Sequence, residues 1–523
     1  MPPSISILDS TLRDGAQAEH VALSVNDKLA IARLLDDFGV SYVEAGNPAS
    51  NPKDLQFFHA AQKNVWRRAK ICAFGSTRHK DVAAAADENL QNLLAAETPV
   101  VVIFGKAWDW HVAEILRASP AENLAMIADS IAFLRDRGRE VIFDAEHFFA
   151  GFAANPAYAL SVIDAASSAA IVTLCDTNGG MLPTQIYRTV RAVAAAFPQT
   201  RLGIHAHNDS GCAVANSLVA VEAGATHVQG TFIGVGERCG NADLCAIIAG
   251  IQLKKTRPCD GALPQLRDTA AAIAAVLNLK IDNQAPYVGD SAFAHKAGMH
   301  IDGVLKNSGT FEHIDPAAVG NRRRFLLSEV AGRGALLAKI NAYAPQLQRD
   351  SAATQTILAK LKEREFAGYQ YEAADASFEL LVKKIIGQGR KFFSLVLYKT
   401  IGEFPSPENE TPASAMIKIE VEGETAMAAA TGNGPVNALD LALRRALATF
   451  YPRIGEMFLT DFKVRVIDDH NSTAAKVRVL IDSSDGKRQW TTIGVSGDII
   501  EASLQALIDA AEYHLNLQLT IDN

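Results

Sequence analysis

The chain has 523 residues, 49% of them hydrophobic and 21% charged, with a formal net charge of −8. That length suits more than one domain and a large core. The acidic balance excludes a general nucleic-acid binder, whose surface would be basic. Arg322–Arg323–Arg324 is too short a run to alter this, and reads equally well as a solvated cluster or as an anion or interface contact.

Six cysteines (Cys72, Cys175, Cys212, Cys239, Cys245 and Cys259) show no CxxC pairing, as expected of a reducing compartment. The opening "MPPSISILDSTLRDG" has no basic stretch followed by an apolar one, and no run of about 20 apolar residues occurs further on. A cytoplasmic chain with no membrane partner is the expectation.

In chain order, eight short apolar runs read as strands: "ISILDS" (5–10), "SYVEAG" (41–46), "KICAFG" (70–75), "VVVIFG" (100–105), "EVIFDAE" (140–146), "AIVTLCD" (170–176), "RLGIHAH" (201–207) and "HVQGTFI" (227–233). Such near-continuous apolar runs suit strands buried on both faces. Amphipathic helical stretches fill the gaps. The one at 26–39 is read with Asn26 as its N-cap and Gly39 as its stop; 182–197 and 211–224 are similar. Eight β–α units in about 250 residues predict a (β/α)8 TIM barrel over 1–275, with an open doubly wound sheet as the alternative.

Beyond 275 the alternation stops. Residues 276–374 read as a helical linker region, with helices over 335–350 and 351–368. Residues 375–523 read as an α+β domain built twice from the same plan: strands, a Gly turn, then a helix (434–450 and 498–515). This tail lacks catalytic clusters, so a binding or regulatory role is expected of it.

Polar residues gather where a barrel does its chemistry, at the C-terminal ends of its strands. Strand one leads to Asp9, Arg13 and Asp14; strand five to Asp144, Glu146 and His147; strand six to Asp176, Thr177 and Asn178. Strand seven carries His205 and His207, then Asn208 and Asp209, and strand eight runs into Glu237, Arg238 and Asn241. Strand periodicity puts His205 and His207 on one face. Two imidazoles beside a carboxylate suit a divalent cation, with Asp14 as the third ligand. By itself the H-x-H pattern is also that of two hydrogen-bonded histidines at a strand end; the carboxylates at the neighbouring strand ends weigh towards metal. "GVGERCGN" (234–241) does not match the dinucleotide fingerprint.

"DSTLRDGAQ", "HAHND" and "GVGERCGN", in this order, resemble the signatures of the isopropylmalate, citramalate and homocitrate synthases of the DRE-TIM metallolyase superfamily. The resemblance continues through "FAHKAGMHIDGV" and into "GNGPVNALDLAL" and "WTTIGVSGDIIEASLQAL", which are similar to the leucine- or isoleucine-sensing domain of those enzymes. It covers nearly the whole chain. "RDGAQAEHVALSVNDK", "DAEHFFAGF" and "HIDPAAVGNRRRFLLSEVAGR" look most like the citramalate synthase branch.

The resemblance implies an acyltransferase that condenses acetyl-CoA with pyruvate to (R)-citramalate and CoA, in isoleucine biosynthesis. The alternative is a 2-isopropylmalate synthase acting on 2-oxoisovalerate, in leucine biosynthesis. It implies a divalent metal (Mn2+, Mg2+ or Zn2+) on Asp14, His205 and His207, with Asn241 at a fourth ligand position. Arg13 would contact the 2-oxo acid and stabilise developing charge, Glu146 would help proton transfer, and Thr177 would bind the substrate carboxylate. His300 would help activate the acetyl group or water. An isoleucine or leucine feedback inhibitor on the C-terminal domain and a homodimer are implied as well. One departure stands out: Phe311 occupies a position where the family often has tyrosine, so no hydroxyl is available there.

Overall fold

A computed structural model describes residues 4–326, 339–340, 343–345, 347–348, 351–402, 412–467 and 475–519. Eight parallel strands close on themselves: β1 (Ser6–Asp9), β2 (Tyr42–Glu44), β3 (Lys70–Ser76), β4 (Val100–Lys106), β5 (Glu140–Glu146), β6 (Ile171–Asp176), β7 (Leu202–Ala206) and β8 (His227–Gly230). Closure is explicit in the register. β1 pairs β2 through Leu8 and Tyr42, and on its other side pairs β8 through Ser6 with His227 and Asp9 with Gly230. An open sheet would leave β1 or β8 as an edge, so that alternative is excluded.

Period-two alternation sorts each strand into two layers. Leu8, Tyr42, Cys72, Val100, Val102, Ile142 and Ile171 pack together inside the barrel. Their neighbours Ile7, Val43, Ile71, Val101, Val141 and Val172 join the larger core that includes the helices. Two residues further along, the same inward row turns polar: Ser10 after Leu8, Glu44 after Tyr42, Asp144 after Ile142, Thr173 after Ile171. The lower barrel is therefore an apolar plug and the upper end a polar cup.

The first helix runs Val25–Phe38 and stops at Gly39, whose φ of 96° lies in the left-handed region that glycine tolerates. Its N-cap is Ser24, not Asn26. The Ser24 hydroxyl accepts from the Asp27 amide at 3.2 Å, and the Asp27 carboxylate accepts from the Ser24 amide at 2.8 Å. That reciprocal box settles two amide groups a helix start leaves open, whereas Asn26 already sits within the first turn. Ser24→Ala is expected to cost about 1 kcal/mol of barrel stability, measurable as a shifted urea midpoint. The helices Pro183–Ala196 and Ala213–Ala223 fall within their expected spans.

The chain packs as two units, Met1–Phe293 with His313–Arg323, and Ala294–Glu312 with Arg324–Asn523. In the second unit, β9 (Ala294–His295) and β10 (Arg324–Phe325) form a minimal parallel pair beside the helix Gly298–Lys306. The helix Ala352–Phe366 lies within the expected span 351–368; the helix expected over 335–350 falls largely outside the described residues. The duplicated plan follows. Strands β11 (Ser394–Gly402), β12 (Ala413–Val421) and β13 (Glu424–Gly432) make an antiparallel sheet closed by the helix Pro435–Ala448. Strands β14 (Phe458–Val466), β15 (Val477–Ser484) and β16 (Gln489–Ser496) repeat it with the helix Ile499–Leu519. Ile417, Ile419, Leu443, Val479, Ile481 and Leu507 share one core between the two copies. The edge strand β14 is exposed along its whole length, with Phe458, Phe462, Val464 and Val466 uncovered. Among the described residues no helix is long and apolar enough to cross a membrane.

Candidate active site

The cup at the C-terminal end of the barrel is built by continuing the inward rows. His205 is the penultimate residue of β7 and His207 lies just past its end, so both imidazoles point the same way with ring centres 5.2 Å apart. Asp14 comes from the turn after β1. Gly15 permits that turn to close down: a Cβ there would sit 2.9 Å from the Val235 methyl of the loop after β8. Asp14 Oδ2 stands 3.5 Å from His205 Nε2 and 3.8 Å from His207 Nε2. One ligand atom from each of the three residues falls within 4.8 Å of the others, and all three are buried.

Backbone pairing places Asn241 beside them. His207 bridges Asn241, the Asn208 amide donates to Gly240 at 2.9 Å, and the Ala242 amide donates to Ala206 at 2.9 Å. Gly236 is required by this packing, since a Cβ there would lie 2.2 Å from the Asn241 amide nitrogen. The Asn241 Oδ1 and the His207 Nδ1 are buried with no hydrogen-bond partner among the described residues. A buried carbonyl oxygen left in that state is costly, and a cation is the partner its chemistry fits. The donor set (one carboxylate, two imidazoles, one amide oxygen) therefore fits a divalent metal.

Electrostatics agree with the geometry. Burial alone would raise the Asp14 carboxyl, but Arg13 and the imidazoles outweigh it and hold it well below the usual carboxylate range. Burial, then the neighbouring His205, push His207 down to about 4, so it is neutral at pH 7 with a lone pair to offer. Burial works against protonation of His205 as well, yet Asp14 beside it outweighs burial and raises its pKa. Its orientation is fixed from behind. His205 Nδ1 meets Gln229 Oε1 at 2.9 Å, and Gln229 Nε2 donates to Asp144 Oδ1 at 2.8 Å and to Thr173 Oγ1 at 3.0 Å. A glutamine oxygen can only accept, so Nδ1 carries the hydrogen and Nε2 faces Asp14. Burial, then Glu44, push the Asp144 carboxyl up to about 6.

Arg13 spans the cup. Its Nε donates to Glu44 Oε2 at 2.7 Å, its Nη1 to Asp14 Oδ2 at 3.1 Å, and its guanidinium carbon lies 3.9 Å from the centre of the Phe74 ring. Glu44 also accepts from Ser10 Oγ at 2.5 Å.

Residues 4–273 match the HMGL-like family model, 287–367 the homocitrate synthase post-HMGL domain-like model, and 372–515 the LeuA allosteric (dimerisation) domain. The chain is 50% identical to an (R)-citramalate synthase of Synechocystis sp. over 98% of this chain and 96% of that one. It is 47% identical to an (R)-citramalate synthase of Aquifex aeolicus over 98% of each. A probable 2-isopropylmalate synthase of Methanosarcina acetivorans is more distant, at 30% identity over 97% of this chain and 94% of that one.

The chain belongs to the (R)-citramalate synthase family.

It is thus one of the metal-dependent condensing transferases, and the remaining expected site residues can be placed on that frame. The barrel gathers Arg13, Asp14, His205, His207 and Asn241 in one cup. Glu146 ends β5 on the same inward row as Asp144 and is ion-paired with Lys106 at the end of β4. Thr177 follows β6 and accepts from the His147 amide at 2.9 Å. It caps no helix, because the next one begins at Pro183. His300 belongs to the second unit, where it is exposed on the helix Gly298–Lys306 and stacks on Phe311 with ring centres 4.2 Å apart.

Other strand-end residues serve the frame. Asp209 and Arg238 pair at 2.8 Å and so tie two rim loops, while Asn208 accepts from the Ala213 amide and Asp176 from the Met181 amide. Asp9 accepts from the amides of Thr11 and Phe232, joining β1 to the chain after β8. Glu44 and Glu146 were the carboxylates that sequence reasoning offered Arg13 as partners, and Glu44 is the one it pairs with; Gln229 and Lys106 were passed over. Both lie on an inward row, two residues beyond His227 and two beyond Phe104, and that spacing is the signal that could have found them.

Proposed function

We propose that this chain condenses acetyl-CoA with pyruvate to give (R)-citramalate and CoA. The observation that carries the reading is the buried cluster Asp14–His205–His207 with the unpartnered amide oxygen of Asn241 beside it, at the open end of a closed barrel. The choice of oxo acid is supported by relatives: five (R)-citramalate synthases lie at 40–50% identity, against 29–31% for probable 2-isopropylmalate synthases.

Asp14, His205, His207 and Asn241 would hold the divalent cation. When bound, it supplies Lewis acidity towards the carbonyl oxygen of the oxo acid. Arg13 adds a permanent, forked positive charge to the same cup, directed at the substrate carboxylate and the oxyanion that grows as the carbon–carbon bond forms. Thr177 already uses a lone pair on the His147 amide, so its hydroxyl proton is what it offers a carboxylate. Glu146, steadied by Lys106, handles the proton of the thioester methyl group. His300 is assigned to activating the acetyl group or the water that then hydrolyses the thioester and frees CoA. The C-terminal domain would join two copies and sense a branched-chain amino acid.

Free thiol released from acetyl-CoA with pyruvate, 2-oxobutyrate, 2-oxoisovalerate and 2-oxoglutarate tests the reading. Pyruvate should lead 2-oxobutyrate in kcat/KM by about ten-fold or more, the discrimination one methylene gives a fitted pocket. A higher rate with 2-oxoisovalerate would replace the assignment with the isopropylmalate reaction. Gln229→Met removes the amide that orients His205 and is expected to weaken divalent-cation affinity by about 10- to 100-fold, measured by competition with a chelating dye.

A further inference from the structure

Beside the cup, the turn after β4 is fastened to the helix after β5. Gly151 of the helix Phe148–Ala154 lets the two close up, since a Cβ there would run into the Ala107 carbonyl oxygen. Asn155 Nδ2 donates to Asp109 Oδ2 at 2.6 Å and completes the join. Rings meet along this seam. Trp108 stacks on His111 with ring centres 5.0 Å apart, and the His111 ring lies 4.2 Å from that of His147. His147 directly follows Glu146 and takes left-handed backbone angles (φ 59°), which a histidine adopts only at a cost. Its amide is pinned on Thr177 Oγ1 at 2.9 Å. The left-handed turn breaks the strand alternation at this residue. The imidazole therefore lies among groups of the barrel mouth: Glu146, Lys106, His111 and the charge of Arg238 from the loop after β8.

We propose that His147 is a further catalytic residue: its Nε2 hydrogen binds the carbonyl oxygen of the acetyl thioester while Glu146 takes the methyl proton. Arg13, Thr177 and the ligand cluster serve the oxo acid, and Glu146 serves the methyl group, so within the barrel that oxygen still has no partner. The methyl C–H of a thioester is a weak acid. It gives up its proton only where the charge that builds on the carbonyl oxygen is stabilised. The C–H bond breaks, its proton goes to a Glu146 carboxylate oxygen, and its electron pair forms the C=C bond of an enolate whose negative oxygen rests on His147. The enolate carbon then attacks C2 of the oxo acid, and the thioester carbonyl re-forms. The ring is suited to donate. His147 Nδ1 is buried with no hydrogen-bond partner among the described residues, and so is His111 Nδ1. Nothing beside Nδ1 accepts a hydrogen bond, so the neutral ring keeps its hydrogen on Nε2, the nitrogen a substrate can reach. Burial, with His111, Lys106 and Arg238 and against Glu146, pushes His147 down to about 4, so it is neutral at pH 7. A neutral ring leaves the Glu146 carboxylate able to act as a base, where an imidazolium would compete for its oxygens. His300 is then left the water.

The inference rests on the condensation proposed above, so the wild-type chain is assayed beside each variant. His147→Gly deletes the ring and suits the left-handed backbone. In the thiol assay with pyruvate it should lower kcat by about 100-fold or more, the usual cost of one oxyanion donor, and leave KM for pyruvate unchanged. Free imidazole should return part of the rate. Trideuterated acetyl-CoA should show a larger isotope effect on kcat in the variant than in the wild type, because removal of the methyl proton has become the slow step. A merely structural role for the ring would move neither readout. His147→Asn serves should the glycine variant fail to fold: asparagine tolerates the same backbone, and its shorter arm stops short of the Nε2 position. It too should be slow, with the raised isotope effect. A rate near that of the wild type, or a slow variant whose isotope effect does not rise, overturns the assignment of His147 and leaves the condensation standing. Failure of the wild-type chain to release thiol with any of the four oxo acids overturns both.

Discussion

Replacing His207 with alanine is expected to lower kcat/KM by about a thousand-fold or more while the barrel stays folded, because a cation in such a site supplies several kcal/mol of charge stabilisation. Three strong donors become two, and the loss falls on the imidazole best prepared to coordinate: His207 is held neutral, pushed down to about 4. The substitution breaks little else. His207 Nδ1 has no hydrogen-bond partner among the described residues, and the backbone bond from its amide to Asp176 at 3.2 Å survives any side chain. Thermal melting should therefore change far less than metal content, counted per chain by elemental analysis. A near-normal rate with metal supplied would reject the site.

Arg13→Gln should damage both the fold and the chemistry, and the two can be separated. Glu44 is 0% exposed and Asp14 3% exposed, and Arg13 is the cation paired with both. Removing it strands a buried carboxylate, a change that costs about 3–5 kcal/mol in comparable pairs. Adding Glu44→Gln removes the stranded charge and should return most of the lost stability. Activity should not return, because the second change restores no positive charge over the reacting carbonyl. Urea unfolding and the thiol assay on the single and double variants make the comparison. Recovery of turnover in the double variant would mean that Arg13 only neutralises Glu44.

The barrel was legible because strands wedged between a packed interior and a ring of helices must be apolar on both faces, and eight such runs are hard to mistake. The pairing of His205 with His207 followed from strand periodicity alone, and the turn after "LRD" left Asp14 at the rim. The cap of the first helix was misread because Asn26 and Ser24 are both good capping residues; the reciprocal bond to Asp27 decides between them, and it needs the helix phase. Gln229 was harder to see. Its meaning lies in hydrogen bonds to His205, 24 residues away, and Asp144, 85 residues away, which no local pattern displays. Lys106 has the same history, defined by Glu146 on the neighbouring strand. The proposed place of His300 in the chemistry came from resemblance; among the described residues its ring stacks on Phe311.

The uncovered β14 has a bearing on how this chain behaves when made. An unpaired rim lined with phenylalanine and valine is a ready template for stray strands, and such rims seed precipitation unless another surface reaches them first. Yield should then depend on how soon newly made copies meet, and a lysine at Val464 should keep a dilute preparation clear for longer.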